Sequence, residues 1–302
     1  MFLLSGRLDR YQIIPRIIIA AFILLMPNLG EIHAHITGTQ WYLAVWLFMI
    51  IIASPPEGVY WKIHDYAVLI MAGLTGPFAI FLIPVVMLKK SKINAFGVIF
   101  ALICIIQAVS IITTAAPTRY SAPLGADISV LANILSSQIF LGFLLSPYQT
   151  SLLWQHTILN YMVFTACAAL IAVFFMRGDW RQKSMVIFPF LMLAFALAKP
   201  QLDPIRAQWP VIGFPNVGER YFLITNIFWV AILLSMLSVK SKRLTAAFFV
   251  LILVSGVCNF KLPRRADKEW FNQVYAFKQL PSGESMIFQI PPEGWEMTLN
   301  KK

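Results

Sequence analysis

A chain of 302 residues that is 59% hydrophobic and only 12% charged lies far below the roughly 25% charged content of an ordinary soluble domain. A water-soluble fold of this size has too little interior to hide that much apolar side chain, and the composition excludes one. The formal charge of +11 does not point to nucleic acid either, because the Lys and Arg residues sit in small groups between apolar runs and not on one face with stacking aromatics.

In chain order, Met1 to Arg16 is basic but lacks a small-residue cleavage site after a short apolar core, so no removable signal peptide is expected. Apolar runs then follow at Arg16 to Met26, Trp41 to Ala53, His64 to Leu88, Ile93 to Ala116, His156 to Met176, Lys183 to Ala198, Arg220 to Val239 and Leu244 to Cys258. Several approach or exceed the ~20 helical residues that span a bilayer. The short basic loops at Lys89, Lys90 and Lys92, at Arg177, Arg181 and Lys183, and at Lys240, Lys242 and Arg243 belong in the cytoplasm, together with Arg7, Arg10 and Arg16.

That placement works only if His64 to Leu88 makes two passes. The breaker cluster Gly73-Leu74-Thr75-Gly76-Pro77 predicts two short antiparallel segments there. The expectation is an all-α polytopic membrane protein with about nine transmembrane or half-membrane helices and a cytoplasmic N-terminus. Pro27 to Gln40, Pro117 to Gln155, Lys199 to Glu219 and the tail from Phe260 then face outward, with Arg119, Lys199, Arg206 and Arg220 as the basic residues of the outer loops.

Within the second outer stretch, Asp127 to Leu145 lies between Pro123 and Pro147 and carries Asn133, Ser136, Ser137 and Gln138, which predicts a re-entrant or interfacial helix. Residues 1–259 read as the membrane domain and 260–302 as a small extracytoplasmic tail. In the tail, Arg265 to Gln279 is helix-compatible, and Met286, Phe288, Ile290 and then Trp295, Met297, Leu299 alternate at period two around Pro291-Pro292-Glu293-Gly294. A helix plus a hairpin is expected. Cys104, Cys167 and Cys258 are far apart and read as buried thiols.

Ionisable groups near a membrane boundary are costly and are therefore candidates for function. Glu31-Ile32-His33-Ala34-His35 offers a carboxylate and two imidazoles for acid–base work or polar binding. Histidines two apart share no helix face and nothing completes a tetrahedral set, so no metal is expected; a plain interfacial loop fits as well. Gln40 and Trp41 follow in the same outer segment. Glu219-Arg220-Tyr221 opens an apolar run, where Arg220 can grip a phosphate bidentately and Glu219 suits a helix N-terminus; an interfacial anchor with an aromatic belt is the alternative. Arg119 carries the same two readings, and Asp127 and His156 complete the outer polar set. No nucleophile elbow, phosphate-cradling Gly loop or dinucleotide fingerprint occurs, and no cofactor is expected.

Three stretches resemble the membrane portion of the GT-C class of glycosyltransferases: Ala72-Gly73-Leu74-Thr75-Gly76-Pro77-Phe78 with Leu82-Ile83-Pro84 and Lys89-Lys90, the outer segment Pro27 to Trp41, and Gly218-Glu219-Arg220-Tyr221-Phe222. The tail segment Ile290 to Trp295 is similar to bacterial envelope proteins of this type. The resemblance lies in arrangement more than in identity. It implies a glycosyltransferase-like protein of the bacterial cytoplasmic membrane, acting in cell-envelope polysaccharide or O-antigen assembly on a polyprenyl-phosphate-linked sugar at the outer face. Glu31 or Asp127 would be the catalytic base, and Arg220 or Arg119 the phosphate grip, with His33, His35, Gln40, Trp41, His156, Glu219 and Tyr221 in the substrate site. In that class the catalytic carboxylate sits in a long outer loop after the first helix, which this chain lacks. A non-catalytic subunit, flippase or carrier for envelope glycolipid, or a chain completed by another envelope-assembly membrane protein, therefore stands beside the enzyme reading.

Overall fold

The computed structural model describes residues 5–8, 11–33, 36–90, 94–113, 122–259, 269–290 and 295–302. The chain forms two compact units, Met1–Phe260 and Lys261–Lys302. Among its described residues the first unit has helices and loops and no strand. After a 3-10 turn at Gly6–Leu8, α1 (Ile13–Leu25) ends where Met26, constrained by the following proline, turns extended at ψ 124°. Helix α2 (Thr39–Ile52) stops ahead of the Pro55-Pro56 pair. Next come α3 (Val59–Leu74), α4 (Phe78–Phe81), α5 (Ile83–Lys89) and α6 (Ala95–Thr113).

Four helices among the described residues are long and apolar enough to cross a membrane: α6, α9 (Thr157–Arg177), α10 (Trp180–Ala198) and α13 (Lys242–Asn259). Three of them leave most of their apolar surface uncovered, with only 17%, 11% and 22% of the best window buried for α6, α9 and α13. Side chains such as Ile112, Ile158 and Val257 stand at 81%, 78% and 77% exposure, a surface that suits hydrocarbon and not water. The pair α3 and α4–α5 would make a fifth span, broken by a 110° bend. The shorter apolar helices α1, α2 and Leu223–Ser238 fall below the length that spans ~30 Å at 1.5 Å per residue. Among the described residues, four helices are long enough to span, or five with the broken pair, and the other apolar helices are shorter.

The break at Thr75-Gly76-Pro77 falls where the sequence places it, but the two arms meet at 110° and not antiparallel. Packing supplies the reason. Helix α3 packs on α2 and α6, whereas α5 packs on α10, so the second arm is drawn sideways. A Cβ on Gly73 would lie 2.5 Å from Ile103, and Gln107 donates to the Gly73 carbonyl at 2.8 Å. Thr75 bonds back to the carbonyls of Met71 and Ala72, closing the end of α3.

The stretch expected as a re-entrant or interfacial helix begins exposed at Asp127 and Ile128 and is buried from Ala132 to Ile134 and from Ser136 to Phe140. Asp127 caps α7 (Ile128–Ile134), which widens into a π-helical segment at Leu135–Phe140, followed by a turn and by α8 (Pro147–Trp154) behind a capping box of Ser146 and Gln149. A π segment followed by a turn frees backbone carbonyls, and buried side chains answer them. Asn28 donates to Gly142 at 3.0 Å and Leu145 at 2.7 Å, Asn226 to Gln138 at 3.1 Å, Trp229 to Phe140 at 3.2 Å, and Ser255 to Leu144 at 2.6 Å. These donors come from the loop after α1, from α12 (Leu223–Lys240) and from α13, so the irregular segment ties three parts of the bundle together. The late span begins at Leu223 and not at Arg220, because Glu219–Tyr221 forms a 3-10 turn. A single turn, α11 (Gln208–Val211), lies in the preceding loop.

In the second unit, α14 (Trp270–Gln279) accompanies an antiparallel pair, β1 (Ser285–Ile290) and β2 (Trp295–Asn300), in the register Ser285 to Asn300 and Ile290 to Trp295. Phe288 is 1% exposed, between the rings of Trp270 and Phe277 at 5.4 Å each. Gln273 holds the strand by a two-way bond with the Gln289 backbone, at 2.7 and 3.2 Å. Of the stretch expected as helix, Trp270–Gln279 is helical; the segment 260–268 and the Pro291-Pro292-Glu293-Gly294 turn lie outside the described residues.

Replacing Asn28 by Leu removes two donors from buried carbonyls, so we expect a loss of about 1–3 kcal/mol. Denaturant unfolding of the purified protein in detergent micelles measures it; an unshifted midpoint would show that the π segment does not depend on this side chain.

Candidate functional site

Two loops, each following an apolar helix, meet at one end of the bundle: residues 26–33 after α1 and 199–222 between α10 and α12. Gly218 makes the second loop's turn at φ +71°, a conformation that L side chains rarely adopt. The Glu31 carboxylate accepts from the Gly218 amide at 3.2 Å, the Arg220 amide at 3.3 Å and Arg220 Nη1 at 3.3 Å. In return the Glu219 carboxylate accepts from the Glu31 amide at 3.4 Å. Each loop thus supplies a carboxylate to the other's backbone. Arg220 also donates through Nη2 to the Gln201 carbonyl at 2.8 Å, and its guanidinium lies 4.9 Å from the centre of the Tyr221 ring. The Tyr221 hydroxyl accepts from the Gln201 amide at 3.0 Å.

The three charged groups of this clasp are unequal. Arg220 and Glu31 keep part of their side chains exposed, 36% and 25%, whereas Glu219 is 4% exposed. Burial first, and then the neighbouring Glu31 charge, push the Glu219 carboxyl up to about 7, against the amide hydrogen bonds from Glu31 and Gly30. Its Oε1 is buried with no hydrogen-bond partner among the described residues. Burial opposes the charge of Arg220, but Glu31 and Tyr221 outweigh it and raise its pKa.

Around the clasp, His33 Nδ1 lies 3.0 Å from the Tyr42 hydroxyl, and burial lowers the imidazole's pKa, favouring the neutral ring. Trp41 packs on Phe78 with centroids 5.0 Å apart, and a Cβ on Gly76 would lie 3.2 Å from the Gln40 amide oxygen. Gln40 and Trp41 therefore rest against the break between α3 and α4. The other expected site residues do not join this group by any described contact. Asp127 is exposed and caps α7, accepting from the Ser129 amide at 2.7 Å; that residue's hydroxyl and amide hold its carboxyl below the usual range. His156 is exposed at the start of α9. His35 and Arg119 lie outside the described residues. Among the described residues no three His, Cys, Asp or Glu side chains converge on a metal-sized gap.

A second charged cluster at the other end of α1 and α2 escaped the sequence reading. Arg7 grips Asp65 bidentately at 2.8 and 2.7 Å, and Asp65 is 3% exposed. His64 Nδ1 is 2.9 Å from the same carboxylate. Arg7 also donates to the Ser54 carbonyl at 2.9 Å, Lys89 to Ile51 at 2.7 Å and Arg181 to Ile52 at 3.0 Å. Three cations thus cap the C-terminal end of α2, where the helix dipole favours positive charge. An Asp inside an otherwise apolar run, with an Arg upstream, is the signal that would have found it.

No protein-family model, no curated protein and no solved structure matches the chain.

The raised carboxyl of Glu219 makes stability depend on pH. A folded-state pKa near 7 against an ordinary value of 4.5 means that the neutral form stabilises the fold. That contribution is complete below about pH 4.5 and is lost as pH rises through about 7, to an extent on the order of 3 kcal/mol. Unfolding midpoints measured from pH 4.5 to 8 should fall for the parent protein and flatten for Glu219→Gln; equal slopes would remove Glu219 as the titrating group.

Proposed function

We propose that the chain is a multi-pass protein of the bacterial cytoplasmic membrane that transfers a sugar from a polyprenyl-phosphate carrier during assembly of envelope polysaccharide or O-antigen. Its nine passes in this reading are α1, α2, the two arms broken at Gly76-Pro77, α6, α9, α10, α12 and α13, starting in the cytoplasm. The gathering of Arg7, Lys89 and Arg181 around the end of α2 supports that orientation, since all three come from segments that charge assigns to the cytoplasm. The clasp then faces outward.

The observation that carries the reading is a buried carboxyl poised near neutrality, with one unpartnered oxygen, one residue from a half-exposed guanidinium. Glycosyl transfer from a lipid phosphate needs both. Glu219 takes the proton of the acceptor hydroxyl, the hydroxyl oxygen bonds to the anomeric carbon, and the bond from that carbon to the phosphate oxygen breaks with its electrons. Arg220 stabilises the charge left on the phosphate. Glu219 takes this part rather than Glu31 or Asp127. The Glu31 lone pairs already serve two amides and Arg220, and the lowered pKa of Asp127 makes it a weak base.

The Glu31 to Arg220 pairing favours a second reading, a non-catalytic subunit or carrier of envelope glycolipid working with another membrane protein. In the closed clasp the phosphate grip is occupied and Glu219 is covered.

Purified protein in liposomes, supplied with a panel of polyprenyl-phosphate sugars, separates the two. We expect turnover with an acidic limb near pH 7 and a fall in kcat of roughly 10²- to 10⁴-fold in Glu219→Gln, with a smaller fall in Asp127→Asn. Undiminished turnover in Glu219→Gln removes its role as base. Donor binding without transfer assigns the chain to the non-catalytic reading.

A further inference from the structure

A cavity of about 780 Å³ opens between α1, α2, α10 and α12, within the size range of small-molecule sites. It runs along α1 from Leu8 to Leu24 with its polar end at the pole opposite the clasp, and its lining is graded along its length. On α1, Gln12 and Arg16 come first and Ile19, Ala20, Ile23 and Leu24 follow, all at helical spacing on one face. On α12, which contributes in the opposite chain direction, Phe228 and Ala231 come first, then Ser235 and Ser238. Asp179 and Gln182 from the start of α10 join the polar end, and Val45, Phe48 and Met49 of α2 join the apolar wall. One end is hydrogen-bonding and charged, whereas the rest is hydrocarbon.

Among the described residues, cations outnumber carboxylates in and beside the polar end. Arg16 is 3% exposed, lines the cavity and donates through Nη2 to the Ser5 carbonyl at 3.0 Å. Ile52, also in the lining, has its carbonyl bonded by Arg181, and the adjacent Ile51 carbonyl is bonded by Lys89. Among the described lining residues the carboxylate is Asp179, which accepts from the amides of Arg181 and Gln182 at 2.9 Å each as the cap of α10. We propose that this cavity holds one acyl chain of an anionic phospholipid, with the phosphate at the Arg16 end and the chain lying along the apolar faces of α1 and α12. Neither the sugar-transfer reading nor the clasp is needed for this site.

The full chain, purified in mild detergent, is incubated with phosphatidylglycerol or with phosphatidylcholine of the same acyl chains, and retained lipid is counted by native mass spectrometry. One retained phosphatidylglycerol is expected, with phosphatidylcholine retained about tenfold less. Ala20→Trp from α1 and Ser235→Phe from α12 narrow the cavity from different walls. Each should lower phosphatidylglycerol retention by about tenfold at an unchanged unfolding midpoint, and Arg16→Gln should abolish the preference between the two lipids. Equal retention of both lipids by the parent protein, retention untouched by both filling variants, or displacement by excess inorganic phosphate alone would overturn the proposal.

Discussion

A polypeptide in an apolar surrounding cannot leave a peptide group without a partner, and wherever this backbone departs from a helix a side chain must complete it. Most of the polar residues buried in the bundle answer to that constraint. Asn28, Asn226, Trp229 and Ser255 serve the π segment and the turn after it. Lys89 and Arg181 serve the last carbonyls of α2, and Arg7 serves the strand-like exit beyond it. Glu31 and Glu219 serve the two loops at the opposite end. Polar side chains in this chain are placed chiefly by backbone need, and a chemical site has to be built from groups that already hold the fold.

What the sequence reveals follows the same division. Features written in local order are legible: the break at Gly76-Pro77, the alternation that buries Phe288 against an aromatic helix, the apolar length of α6, α9, α10 and α13. Features that depend on distant partners are not. Asp127 and Glu31 look alike in sequence as outer carboxylates, yet one is an exposed helix cap and the other half of a clasp. Glu219 is legible as a helix-start residue, but its raised pKa comes from burial and from Glu31, which lies far away in the chain. The pairing of Arg7 with Asp65 joins residues 58 apart, and only an Asp within an apolar run marks it locally, without naming its partner. The π segment at Leu135–Phe140 is hidden because a widened turn depends on donors from α12, α13 and the loop after α1.

The bundle carries its charge at two poles with different character. At one, guanidinium and ammonium groups meet helix carbonyls and a single buried Asp. At the other, Glu31 pairs with the one guanidinium, and the second, more deeply buried carboxyl beside it prefers its proton. Between them run α1 and α2, whose apolar faces separate the poles by about 20 Å at 1.5 Å per residue. A helix pair that short sets a thin hydrocarbon path where the longer helices around it set a full one.

The reciprocal bonds between Glu31 and residues 218–220 also bear on how the chain is made. The partners are 188 residues apart, so at ribosomal speeds of about 5–20 residues per second the first loop waits on the order of ten to forty seconds for the second. During that interval the carboxylate has no guanidinium, and the end of α1 has no closure from the late loop. The bundle can lock at this pole only when α12 has been delivered beside α1, which makes the insertion of one late helix the event that completes the earliest loop.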